Sequence, residues 1–219
     1  MYLRRRILVL CFVMILLSSV LIAQDHDNME QVGRFGNFWG SAFNFVIEEN
    51  YAFIAAGVSG LQIVDISDPE ELGIVGYWDK NTDDAMSVAK IGNLIYMADS
   101  RVFRILDVSD FDNPVEIGFC QIPAIGYDVS INGDYAYLRT NYNDGLLIIN
   151  ISDVENPSVT RFIEIQGRLT GDIISRGNLV FLTERDSGLK IFDVTDAENP
   201  AEIGTCDTPG HALGLDLQD

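Results

Sequence analysis

The chain has 219 residues with 14 Lys and Arg against 33 Asp and Glu, a formal charge of −19 at neutral pH. That balance excludes electrostatic recognition of nucleic acid or anionic lipid, which relies on clustered Lys and Arg. With 2 histidines and 3 cysteines, a multi-histidine metal site, a Ser-His-Asp arrangement and a disulfide framework cannot be assembled.

In chain order, Arg4, Arg5 and Arg6 precede an apolar run from Ile7 to Ala23, followed by the polar Gln24, Asp25, His26 and Asp27. This predicts a signal peptide over 1–23, cut after Ala23, and export to the medium, the cell surface or a periplasm. The alternative is an uncleaved anchor, since 17 apolar residues lie at the lower edge of a membrane span. Membrane contact is then expected only through this segment. The exported part keeps 11 Lys and Arg against the same 33 acids, which suits solubility outside a cell and admits cationic partners or divalent ions.

After the leader, one phrase recurs: GLQIVDISD from Gly60, VFRILDVSD from Val102, GLLIINISD from Gly145 and GLKIFDVTD from Gly188, at spacings of 42, 43 and 43 residues. A fixed period of this length, built from alternating β-branched residues and closed by a turn, marks a β-propeller array. Each repeat reads as four strands. The first begins near Ala85, Gly126 and Gly171, with Ala212 opening a further copy. The second is aromatic-rich: NYAFIA from Asn50, NLIYMA from Asn93, DYAYLR from Asp134 and NLVFLT from Asn178. The third is the quoted phrase. Turns at Asp68-Pro69, Asn113-Pro114, Asn156-Pro157 and Asn199-Pro200 lead into the fourth, because Pro cannot donate into a ladder.

The fold class is therefore all-β: a propeller of four-stranded antiparallel blades at 42–79, 85–121, 126–165 and 171–207, inside an exported body 24–219. Residues 28–36 match a fourth strand, with Gly33 in register with Gly76 and Gly118, and 212–217 match a first strand. A propeller truncated within a blade is expected; a four-blade ring with frayed ends is the rival. Apolar residues on both faces of the second and third strands imply sheets covered on both sides, as in stacked blades. Cys120 and Cys206 share the register of Phe35, Trp78 and Ile163. They read as small buried hydrophobes, too far apart to pair.

Two acidic positions recur in the turn: Asp65, Asp107, Asn150 and Asp193, then Asp68, Asp110, Asp153 and Asp196. Such carboxylates could hold calcium. Their spacing favours hydrogen bonds to the turn's own backbone instead. The propeller channel is lined by first strands, and Asn44, Ser87, Asp128 and Asp172 fall in equivalent positions there. They form the candidate ligand-binding ring. Asp128 and Asp172 also supply the two carboxylates that glycosidic chemistry needs, although loop capping explains them equally well. No catalytic residue and no metal ligand is assigned. No C-x-x-C, P-loop or strand-linked G-x-G-x-x-G occurs, so no cofactor is expected.

The repeated G-L-x-I-V-D-[IV]-S-D phrase with a following N-P resembles the LVIVD repeat of bacterial and archaeal cell-surface proteins. Leu61, Ile63, Val64, Asp65, Ile66, Ser67 and Asp68 carry the pattern best. Departures are mild: Asn150 replaces the motif Asp, and Val102 and Phe103 replace Gly-Leu. The resemblance implies an exported, propeller-like protein and lends no catalytic residues. Two functions stay open: a non-catalytic scaffold binding protein or polysaccharide, or a carbohydrate-active hydrolase or lyase using the channel carboxylates.

Overall fold

The computed structural model describes residues 41–80, 83–141, 145–165, 169–185 and 188–217. The expected leader over 1–23, the fourth strand at 28–36 and the register positions Gly33 and Phe35 lie outside them.

Among the described residues four antiparallel sheets follow one another along the chain, each with its strands in sequence order. The first blade holds β1 (Asn44–Glu48), β2 (Tyr51–Ala55), β3 (Leu61–Asp65) and β4 (Gly73–Trp78). The second holds β5 (Ala85–Ile91), β6 (Leu94–Asp99), β7 (Val102–Asp107) and β8 (Val115–Gln121). The third holds β9 (Ile125–Asn132), β10 (Tyr135–Asn141), β11 (Gly145–Asn150) and β12 (Ser158–Glu164). The fourth holds β13 (Leu169–Arg176), β14 (Leu179–Glu184), β15 (Gly188–Asp193) and β16 (Ala201–Cys206). There is no helix among the described residues, and the all-β, propeller-like reading stands.

Two devices set each blade's local geometry. The loop between first and second strands begins with a left-handed residue: Glu49 (φ 52°), Gly92 (56°), Gly133 (58°) and Gly177 (57°). A positive φ at the first loop residue matches the twist of the flanking strands, and glycine reaches it without steric cost. Between third and fourth strands the register slips once per blade, at Ile63/Val64, Ile105/Leu106, Ile148/Ile149 and Ile191/Phe192. This recurrent bulge bends the outer strand.

The core lies between blades. Phe53, Leu61 and Ile63 pack with Val88, Ile95, Met97 and Leu106. Tyr96, Phe103 and Ile105 pack with Val129, Leu138 and Leu147. Tyr137, Leu146 and Ile148 pack with Ile173, Leu182 and Phe192. Alternate residues of one third strand thus serve two different interfaces, which is why the phrase is apolar on both sides. Burying each such side chain stabilises by about 1.5–3 kcal/mol.

Two expectations need correction. Residues 212–217 run beside β13 but form no strand. A ladder there needs a second strand, and none pairs with it among the described residues. Cys206 shares the register of Trp78, Cys120 and Ile163 but is exposed, while Cys120 is half-buried. Cys206 lies on the outer face of the fourth blade, where it is exposed among the described residues. Both thiols are free.

Candidate functional site

The first strands β1, β5, β9 and β13 lie side by side. Asn44, Ser87 and Asp128 occupy one register, opposite Ala55, Ala98 and Arg139. Asp172 falls within the irregularity between Leu169 and Ile173. Asn44 is half-buried at the head of β1. The other three are joined to chain atoms.

Asp128 ties three blades together. Its Oδ1 accepts the Ser87 hydroxyl at 2.7 Å and the Val129 N–H at 2.9 Å. Its Oδ2 accepts the Ile173 N–H at 2.9 Å. Two further links run along the same face of β9. Ser130 Oγ accepts the Ser175 N–H at 2.9 Å and lies 2.7 Å from Ser175 Oγ, and Asn132 Nδ2 donates to Gly177 O at 2.5 Å. Alternate residues share a face of a strand, so Asp128, Ser130 and Asn132 form a polar seam between the third and fourth blades. Asp172 repeats the Asp128 contact one blade on, accepting the Leu215 N–H at 3.1 Å through Oδ2. Residues 212–217 thereby occupy the place of a next first strand.

Burial pushes the Asp128 carboxyl above the ordinary carboxylate range; the Ile173 N–H, the Ser87 hydroxyl and nearby Arg139 pull it back. A raised carboxyl in a cleft suits a general acid. Here, however, both oxygens already accept hydrogen bonds from the blades they join. The ring residues thus do structural work that sequence spacing did not reveal.

A second polar cluster, missed in the sequence, lies between the first two blades. Arg104 projects from β7 into the interface, donating to Asp99 through Nε, to Glu116 through Nη1 at 2.8 Å and to Asp83 through Nη2 at 2.8 Å. Its guanidinium stacks over Trp78, 5.4 Å from the ring centroid. Lys80 donates to Glu116 at 2.5 Å and lies 5.4 Å from the Phe119 ring centroid. Burial pushes the Asp99 carboxyl up and Arg104 opposes the shift. The available signal was a cation inside an otherwise apolar phrase.

The recurrent turn acids bind their own turns. Asp65, Asp107, Asn150 and Asp193 accept the N–H two residues on at 2.8, 2.7, 2.9 and 2.9 Å. Asp68, Asp110, Asp153 and Asp196 do the same at 2.9, 3.2, 3.1 and 3.0 Å. These are Asx turns, which fix the chain's reversal between third and fourth strands, ahead of Pro114, Pro157 and Pro200 in three blades and around Pro69 in the first. Among the described residues, no group of three or more His, Cys, Asp or Glu side chains comes together to hold a metal ion.

Comparison with solved structures places the architecture. The crystal structure of the computationally designed Ika8 protein superposes with a TM-score of 0.64 at 10% identity, covering 82% of this chain and 53% of that one. The chain thus spans about half the length of that protein, and at this identity the likeness is one of fold. No curated protein matches the chain. The LVIVD repeat matches four times, at residues 39–79, 83–121, 126–162 and 167–208. Each match carries one bulged blade closed by its Asx turn, and on these four repeats the chain belongs to the LVIVD repeat family.

Proposed function

We propose that this chain is exported and acts as a non-catalytic scaffold, at the cell surface or in the medium, presenting its blades to a protein or polysaccharide partner. The observation that carries this reading is the engagement of Asp128. The half-buried Asp128 carboxylate holds Ser87 and Ile173 at 2.7 and 2.9 Å, which supports a role in blade joining. Glycosidic chemistry needs a second carboxyl placed across a substrate, and Asp172 is engaged with Leu215. The turn acids leave one end of the blades acidic and exposed, which supports solubility outside a cell and selects against anionic partners.

The test is a binding and turnover panel of proteins and polysaccharides, run with the 24–219 body and its Asp172→Asn variant. A scaffold binds a partner with equal affinity in both and releases no product. Product formation that Asp172→Asn abolishes would establish the enzyme reading. Fractionation of the producing cells tests export: the body is expected outside the cytoplasm, and a purely cytoplasmic pool would contradict it.

A further inference from the structure

Asn150 is the one departure from Asp at its position in the four turns, and the turn itself does not require it. Its Oδ1 accepts the Ser152 N–H at 2.9 Å and the Ser152 hydroxyl at 2.7 Å. Asp193 makes the same pair of contacts with Thr195 at 2.9 and 2.6 Å. Asp65 and Asp107 likewise accept the N–H two residues on. An Asx turn uses only the side-chain oxygen. What the amide adds is a nitrogen, and Asn150 Nδ2 donates to no described residue.

Asn150-Ile151-Ser152 is also the acceptor triplet for an Asn-linked sugar, an asparagine followed two residues on by Ser or Thr with no Pro between. The triplet occurs once in the sequence. Asn156 has Ser158 at the right distance, but Pro157 stands between them, and no other asparagine is followed by Ser or Thr at that spacing. The placement suits an attachment. Asn150 closes β11 and is half-buried, and Ser152 is exposed in the turn that leads to the outermost strand of the blade.

We propose that Asn150 is a modification site, carrying a sugar transferred from a lipid-linked sugar diphosphate as the chain leaves the cell; the proposal rests on the export reading. In the transfer Nδ2 attacks the anomeric carbon and the N–C bond forms. The C–O bond to phosphate breaks, the diphosphate leaves with that electron pair, and a base of the transferase takes the Nδ2 proton. An amide nitrogen is a poor nucleophile, because its lone pair is delocalised into the carbonyl. Two donors on Oδ1 stabilise the negative charge that collects there as Nδ2 loses its proton, since hydrogen bonds to a charged form favour it. The Ser152 hydroxyl is one of the two, which gives the hydroxyl at this spacing a chemical purpose. Ile151 is 4% exposed and packs in the core between the second and third blades. Transfer therefore precedes the closing of this blade, and the folded turn then holds the sugar at the end of the sheet.

The test is the mass of the tryptic segment 140–161, released by cleavage after Arg139 and Arg161, from the full chain made and exported by its own producing cells. The native chain is compared with its Asn150→Asp, Ser152→Ala and Ser152→Thr variants. Asn150→Asp keeps the turn that the other blades make with Asp, so folding is preserved. The expected result is a native segment heavier by a sugar, which fragmentation places on Asn150. Asn150→Asp and Ser152→Ala lose the added mass, and Ser152→Thr keeps it. An unmodified native segment on exported protein overturns the inference and leaves the export reading standing. Added mass that survives Asn150→Asp or Ser152→Ala overturns it too. Protein confined to the cytoplasm overturns both.

Discussion

The carbonyl oxygen of Phe111 lies 1.7 Å from the point where a β-carbon on Gly76 would stand. The Phe111 ring meets Tyr51 and Phe53 edge-on at centroid distances of 4.7 and 5.6 Å. One turn of the second blade is thus locked onto the outer half of the first. Gly76→Ala must push that turn away and is expected to cost about 1–3 kcal/mol, as overpacking does. Gly118→Ala, against Val154 O at 2.0 Å, is expected to behave alike, whereas Gly73→Ala, with nothing within 4 Å, is the tolerated control. Denaturant unfolding of the three variants separates them.

Glu49 holds a φ of 52° where three other blades place glycine. A left-handed residue with a Cβ is disfavoured by about 1–2 kcal/mol. Glu49→Gly should recover about 1 kcal/mol of this, part being lost to the greater freedom of glycine in the unfolded chain. A higher denaturation midpoint with unchanged slope is the expected reading.

Arg104 is almost fully buried among Asp99, Glu116 and Asp83. Removing one partner strands the others' charge, so Arg104→Leu is expected to cost about 3–5 kcal/mol. Removing the most buried carboxylate as well, Arg104→Leu with Asp99→Leu, should restore part of the loss, since Glu116 keeps Lys80 as its partner and an apolar pair is often as stable as a buried ion pair. The double variant measured against both singles is the check.

Acid acts on two sets of carboxyls with opposite signs. The Ser67 and Thr195 hydroxyls hold Asp65 and Asp193 below the ordinary carboxylate value of 3.8. The Ser109 N–H does so for Asp107, and the Asn156 and Asn199 side chains for Asp153 and Asp196. Their stabilisation is complete above 3.8 and is lost as pH falls through the lowered folded values. Burial raises Asp128 above 3.8, so its contribution grows as pH falls from the raised folded value towards 3.8. Carbon-detected titration should find Asp65, Asp107, Asp153, Asp193 and Asp196 below that value and Asp128 above it. Asn150 fills the same turn without titrating.

The sequence made the blades legible because their signals are local. Alternation marked the strands of Leu61, Val102, Gly145 and Gly188; Pro69 and Pro114 marked turns; Asp65 and Asp68 read as turn caps two residues from the N–H groups they accept. What it hid depends on the neighbouring blade. Gly76 and Gly118 stood out only as a shared register, since the carbonyls they admit come from turns more than thirty residues on. Asp128 and Asp172 looked like channel ligands because their partners, Ile173 and Leu215, lie 45 and 43 residues away. Arg104 was hidden in an apolar phrase, its carboxylates drawn from β6, β8 and the loop before β5.

The most direct test of a ring that serves the blades is Asp128→Asn, read by equilibrium unfolding and by partner binding per folded molecule. An amide nitrogen replacing Oδ2 would face the Ile173 N–H, donor against donor. The account predicts a loss of about 1–3 kcal/mol with partner affinity unchanged. Unchanged stability with binding or turnover abolished would contradict it and return Asp128 to a ligand.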